Sequence, residues 1–409
     1  MRRRLPGTVV ALGWVSFFTD LSSEMIYPLL PLFLTSVLGA GAVAIGLIEG
    51  VAESSAAFLK VVSGYWTDKV GKRKPFVLAG YGLAGLVRPG IALVSGWTSV
   101  MALRFADRIG KGLRTSPRDA LITDMVDPSI RGQAFGFHRS MDHAGAVLGP
   151  FVAAALMHWA GFSLRWVFLT ALIPGLIVIF LILFRVKESK EEGSSGAKPP
   201  EISPAAVQSG TKPEPLPTGF RRFVLATGVF TLGNASDAFL LLALAQSGFT
   251  PGQVAMIWGA HNLVKLVAAY ASGLLSDRVG FVLPIASGWL VHVLTFIAFA
   301  LAPSGALMVL VFMIYGFANG LSEPAEKVLV AHLSPKTRRG AAFGLYHGVI
   351  GFLALPASAV FGLLWHSFSP ALAFQVSAGI ALLGFLLLLA AGGNRSGDAG
   401  PVKPNGTAS

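Results

Sequence analysis

The sequence holds no cysteine and little charge. Without thiols there are no disulfides, thiolate metal sites or cysteine-held iron–sulfur clusters. Charged residues make up 13% of the 409, against roughly 25% in an ordinary soluble domain. A soluble chain of this length would lack the charge to cover its surface. No Gly period of the collagen type runs through it. No nucleotide-binding loop, His-Glu-x-x-His zinc motif or nucleophile elbow occurs, and no sizeable soluble output domain. The reading is therefore not an enzyme, with no cofactor.

What is present is apolar sequence. Hydrophobic residues make up 54% of the chain, which excludes disorder and points to the membrane. A spanning helix needs about 20 apolar residues, and with short loops the chain has room for about twelve. A β-barrel would alternate apolar and polar residues in strands of roughly ten. Stretches such as Ile177–Phe184 and Phe385–Ala391 are continuously apolar instead, so the class is all-α. Spans are predicted near 8–37, 42–67, 76–96, 98–124, 134–158, 165–186, 222–247, 252–275, 281–302, 304–332, 341–365 and 369–392. The first apolar stretch, from Leu5, is too long for a signal peptide and is expected to be retained.

Residues 187–221 change character, opening with a charged run and continuing in Ser, Gly and Pro. They read as a flexible linker between residues 1–186 and 222–392, each a bundle of six helices, with a disordered tail over 393–409. The bundles repeat each other. Gly64-Tyr-Trp-Thr-Asp68-Lys69-Val70-Gly71 returns as Gly273-Leu-Leu-Ser-Asp277-Arg278-Val279-Gly280, and Arg131-Gly132-x-Ala134-Phe135-Gly136 as Arg339-Gly340-x-Ala342-Phe343-Gly344, at offsets of 209 and 208. Parallel six-helix repeats are a transporter architecture with substrate held between the halves near the midplane.

The net charge of +12 is read as basic cytoplasmic loops on an inner-membrane protein, with no nucleic-acid partner. Arg2–Arg4, Lys69–Lys74, the linker with Arg221 and Arg222, and Lys336–Arg339 lie on one side; the loops near 38–42, 247–252, 302–305 and 365–370 carry no Lys or Arg. Both termini are therefore expected in the cytoplasm.

The loop Gly64-x-x-x-Asp68-Lys69-x-Gly71-Lys72-Arg73 resembles the signature between the second and third helices of the major facilitator superfamily, and the likeness covers the chain outside linker and tail. Asp20–Pro28 and Asp107–Asp119 resemble a poorly characterised prokaryotic branch of it. The resemblance implies twelve transmembrane helices in two six-helix bundles. It also implies a cytoplasmic gate of Gly64, Asp68, Gly71, Arg73 and Arg131, with Asp68 accepting hydrogen bonds from a helix N-terminus of the other half. The second copy lacks the basic residues, and its latch is expected to be weaker or absent. Arg104 matches the superfamily's fourth-helix pattern, while Asp107 and Arg108 replace its Gln-Gly pair. Gly136, Gly145 and Gly149-Pro150 resemble the fifth-helix motif of antiporters, which implies export, although Ala153 and Ala154 replace its closing glycines.

Charge inside the spans carries the rest. Arg104, Asp107, Arg108, Lys111, Arg114, Arg118 and Asp119 fall within about 140° of one helix face. Such residues are costly in hydrocarbon and face water or partner charges. Two carboxylates cannot neutralise five cations, so other carboxylates or an anionic solute must help. Arg104, Arg108, Lys111, Arg114, Tyr27 and His261 are the candidate substrate residues. Asp20, Glu24, Glu53, Asp107, Asp142 and Asp237 are the candidate proton-coupling residues, Asp20 and Glu24 first because close like charges resist joint ionisation. Pro28 and Pro31, and likewise Pro117 and Pro356, are expected to loosen their helices. Gly110 and Gly112 open the backbone beside Lys111 to a ligand or a helix.

The expected function is proton-coupled transport of a small polar, anionic solute by a monomer through alternating access. A metal-ion or metal-chelate carrier using Asp20, Glu24, His138 and Asp142 is the alternative. A sensor or membrane-embedded enzyme on the same scaffold is the alternative of another class.

Overall fold

The computed structural model describes residues 4–30, 33–39, 42–188, 215–234, 237–249, 251–301 and 305–393. Most of the expected linker, 189–214, and all but one residue of the expected tail, 394–409, lie outside the described residues. Within them there is helix and no strand. In lipid every backbone N–H and C=O must be satisfied internally, and apolar runs of this length do so as helices.

The first half comprises α1 (Gly7–Glu24), α2 (Ala42–Val70), α3 (Lys74–Gly90), α4 (Trp97–Met125), α5 (Arg131–Trp159), α6 (Leu164–Thr170) and α7 (Leu172–Arg185). The second comprises α8 (Thr218–Leu232), α9 (Asp237–Gln246), α10 (Pro251–Val279), α11 (Val282–Ala300), α12 (Gly305–Leu333), α13 (Arg339–Ser367) and α14 (Pro370–Gly393). Eight helical segments among the described residues are long and apolar enough to cross a membrane. The charged α4 is not among them.

Prolines place two of the breaks. Pro28 has no N–H for the carbonyl of Glu24, where α1 ends and a short turn, Tyr27–Leu29, takes over. Pro174 likewise leaves Thr170 without a donor, where α6 stops. The Ser22 hydroxyl donates to the next carbonyl, Ala171, at 3.0 Å. Pro117 and Pro356, by contrast, sit inside unbroken helices.

The repeat is carried by helix lengths as well as motifs. The pairs α2/α10, α4/α12 and α5/α13 all have 29 residues. The halves meet along two seams, α2 on α13 and α5 on α10, built on glycine. A Cβ on Gly64 would run into the Gly340 carbonyl oxygen, and one on Gly273 into that of Gly132. Farther along, a Cβ on Gly344 would stand 2.8 Å from the Lys60 carbonyl oxygen, and one on Gly136 2.8 Å from that of Ala269. Only small residues let backbones approach this closely. Both seams lie toward the face that bears the basic loops.

Candidate functional site

At the basic face, each half grips the other's helix start. The Asp68 carboxylate on α2 accepts from the Gly340 and Ala341 N–H groups at 2.9 and 2.6 Å. The Asp277 carboxylate on α10 accepts from Gly132 and Gln133, both at 2.7 Å. A carboxylate on the first N–H groups of a helix satisfies orphan donors and meets the positive end of the dipole. The second latch therefore exists, contrary to the expectation from its missing basic residues. Those residues serve other bonds. Arg73 reaches Asp124 at 2.7 Å as well as Asp68 at 3.1 Å, and Asp124 is also bound by Arg339 across the interface. The Arg73 and Lys74 N–H groups donate to Glu188 at 2.9 and 3.0 Å. Gly71 and Gly280 end their motifs at φ of 70° and 87°, a left-handed turn that favours glycine. Arg131 donates to the Ala331 carbonyl of the other half at 3.4 Å.

Deeper in, Asp119 is fully buried and binds both halves. It meets Arg118 at 2.9 Å on its own helix, His347 on α13 at 2.8 Å and Lys327 on α12 at 3.6 Å. Beside it, Arg139 on α5 pairs with Glu323 on α12 at 2.7 Å and with Asp142. Asp142 also accepts from the Ser16 hydroxyl of α1. Asp20 lies close to Asp142, two like carboxyl groups on facing helices. Glu24, grouped with Asp20 in the sequence, acts on it and also lies among Arg88, Lys111, Arg108 and Arg104.

Toward the opposite face, Asp107 holds Arg88 of α3 at 2.8 Å and Arg104 at 3.6 Å. Arg88 also donates to the Thr19 carbonyl of α1 at 2.8 Å. The Tyr27 ring carries Arg104 at 4.8 Å and Arg108 at 6.0 Å, a cation–π arrangement. Arg114 is buried in the first half with its guanidinium 4.3 Å over Tyr81. In the second half, Asp237 accepts from Tyr315 at 2.6 Å and pairs with Lys265 at 3.4 Å. Lys265 stands 5.6 Å over the Trp258 ring. His261 is buried in a ring cluster with Trp258 and Phe312, with Nδ1 on the Phe312 carbonyl at 2.9 Å. The Glu53 side chain lies outside the described residues.

The glycines beside Lys111 serve packing. A Cβ on Gly110 would meet the Gly80 carbonyl oxygen at 2.5 Å, and one on Gly112 would strike Leu59. Gly145 and Gly149 pack α5 against α1, and Gly136 packs it against α10. Among the described residues no group of three or more His, Cys, Asp or Glu side chains could hold a metal ion.

Several charged residues of the site were not singled out from the sequence. Arg88 had a usable signal: a cation inside the predicted third span, next to Pro89. Trp289 and Tyr346, which bind the buried Glu326, had none, because their partner comes from another helix.

A helical membrane protein whose repeated halves meet over buried ion pairs is built as a solute carrier. The Major Facilitator Superfamily model matches residues 12–248 and 222–407, and the chain belongs to that superfamily, whose members are transporters and not enzymes. It is 33% identical over 393 residues to an uncharacterized MFS-type transporter of Methanocaldococcus jannaschii, covering 95% of each chain. It is 25% identical over 350 residues to multidrug resistance protein MdtH of Salmonella arizonae, covering 80% of each. The crystal structure of the human organic anion transporter MFSD10 superposes with a TM-score of 0.79 at 19% identity, covering 95% of this chain and 100% of that one.

Proposed function

We propose that the protein is a secondary active transporter that moves a small polar anion by alternating access, coupled to protons. One observation carries the substrate class. Lys111 is the fifteenth of the 29 residues of α4, and Lys265 the fifteenth of the 29 of α10. Each half thus places a partly buried ammonium at the middle of a spanning helix. Transporters of this kind hold substrate at the midplane between their halves, and an anion is the ligand two such groups recognise. Arg104, Arg108 and Tyr27 line the way in, while Arg114 and His261 support from within their halves. The Asp20–Asp142 contact supports proton coupling, with Glu24, Glu53, Asp107 and Asp237 as further carboxylates near the path.

The basic face is cytoplasmic by the distribution of Lys and Arg, so both termini lie in the cytoplasm of a cell with this protein in its inner membrane. The glycine seams and the two latches close that face, so this is not the inward-open form. Residues 1–186 and 222–392 are the two moving bodies, joined by the linker 187–221, and one chain suffices as a monomer. The fifth-helix glycines and the relative named for multidrug resistance favour export.

Thermal stabilisation of the purified protein by a panel of organic anions, metal chelates, free metals and cationic drugs tests the reading. Stabilisation by an anion, lost in Lys111→Gln and in Lys265→Gln, is expected. Stabilisation by metals alone, lost in Asp20→Asn, would overturn the substrate class.

A further inference from the structure

We propose that Glu326 on α12 is a proton-binding site, and that the proton it takes stands where the other buried carboxylates have a salt bridge. The proposal rests on the proton-coupled reading above but concerns a residue outside the carboxylates named there. Asp107, Asp119, Asp142 and Glu323 are each within salt-bridge distance of an Arg or Lys. Glu326, 8% exposed, has no cation at that distance among the described residues. It has two neutral donors instead. The Trp289 indole N–H of α11 donates to Oε1 at 2.7 Å, and the Tyr346 hydroxyl of α13 donates to Oε2 at 2.6 Å. Both partners are fixed by packing: Trp289 stacks on Phe230 with centroids 4.1 Å apart, and Tyr346 on Phe223 at 6.2 Å.

A buried carboxylate with no cation is costly when charged. The two donors differ in a way that lets it take a proton without losing a bond. Indole N–H can only donate, so Oε1 stays an acceptor in both states. A phenol hydroxyl can donate or accept. When Oε2 gains a proton, the Glu326 O–H donates to the Tyr346 oxygen and that bond reverses direction. Glu326 is then hydrogen-bonded in both states.

The titratable and charged groups around Glu326 are Glu323 and Lys327 on its own helix, Tyr346 and His347 on α13, His292 one turn from Trp289 on α11, and Asp119 from α4. Phe223 and Phe230 of α8 bring none. Glu323 is committed to Arg139 and Lys327 to Asp119. Glu326 and Tyr346 each immediately precede a residue that binds Asp119 across the halves, Lys327 and His347. A proton at Glu326 is therefore felt at the link between the moving bodies.

Infrared difference spectroscopy of the full chain in lipid, between acidic and alkaline buffer, tests the site. A protonated-carboxyl C=O band is expected to grow on acidification, to be absent in Glu326→Gln and to move in Tyr346→Phe. Gln is suited to the site because its amide accepts from Trp289 and donates to Tyr346, as the protonated acid does. A difference spectrum unchanged in Glu326→Gln would overturn the proposal. Should that variant fail to fold, a band unmoved in Tyr346→Phe would overturn it as well. Failure of the proton-coupled reading would look different. The Glu326 band would be present, while a pH dye inside wild-type proteoliposomes gave no response to gradients of benzoate or inorganic phosphate.

Discussion

In the first half, α4 carries five cations and two carboxylates along one face. Its counterpart α12, of the same 29 residues, carries only Glu323, Glu326 and Lys327, all beyond its midpoint, and presents Phe312 and Tyr315 in its outer half. The latches show the opposite relation. Asp68 and Asp277 make the same pair of backbone bonds, and the glycines opposite them are interchangeable in position. Repetition has kept what the halves use to close on each other and has let diverge what they show to a solute. The closing face must be the same twice, because each motif of one half meets the other motif of its partner. The solute-facing helices are under no such demand.

Breaking the node where the two plans meet should have the largest effect. Asp119→Asn leaves Arg118 and Lys327 buried with one partner fewer, and removing one member of a buried ion pair costs about 3–5 kcal/mol. Thermal unfolding in detergent should show this loss, and a variant as stable as the wild type would mean that Asp119 does not join the halves. The seams come next. Gly64→Leu places a side chain where the Gly340 carbonyl oxygen stands, so the basic face should not close. Because the sequence has no cysteine, a single Cys at Ala341 reports alone, and its reaction with a maleimide should rise several-fold in the Gly64→Leu background. An unchanged rate would place the seam elsewhere. The smallest effects sharpen the comparison most. Asp68→Asn and Asp277→Asn should weaken closure about equally, each on the order of 1.5–3 kcal/mol for a charged hydrogen bond lost. A silent Asp277→Asn beside a damaging Asp68→Asn would show that Arg73 and its basic neighbours carry the latch after all.

The fold could be read from the chain because its signals are local. Apolar runs too long for anything but helices marked the chain as helical, Pro28 marked a loosening of the first span where α1 in fact ends, and two motifs at one offset revealed the repeat. The site resisted because its partners come from other helices. Asp20 and Glu24 share a helix face at a spacing of four and act on each other, but Asp20 also faces Asp142 of α5 and Glu24 the cations around Arg88, which the spacing could not show. The second latch was underrated because the first copy's basic residues looked like part of the grip, when backbone N–H groups supply it. Gly110 and Gly112 read as places for a ligand or a helix to approach, and only the positions of Gly80 and Leu59 show that a helix does.

Flux is the direct measure of the whole arrangement. Proteoliposomes holding the wild type, Lys111→Gln or Lys265→Gln would be loaded with the radiolabelled anion that stabilises the protein best, and a pH gradient imposed. Gradient-driven movement of the anion by the wild type, at least about tenfold slower in both folded variants, is the expected result. Movement equally fast in all three, or none in the wild type, would contradict an anion held between the two midplane lysines.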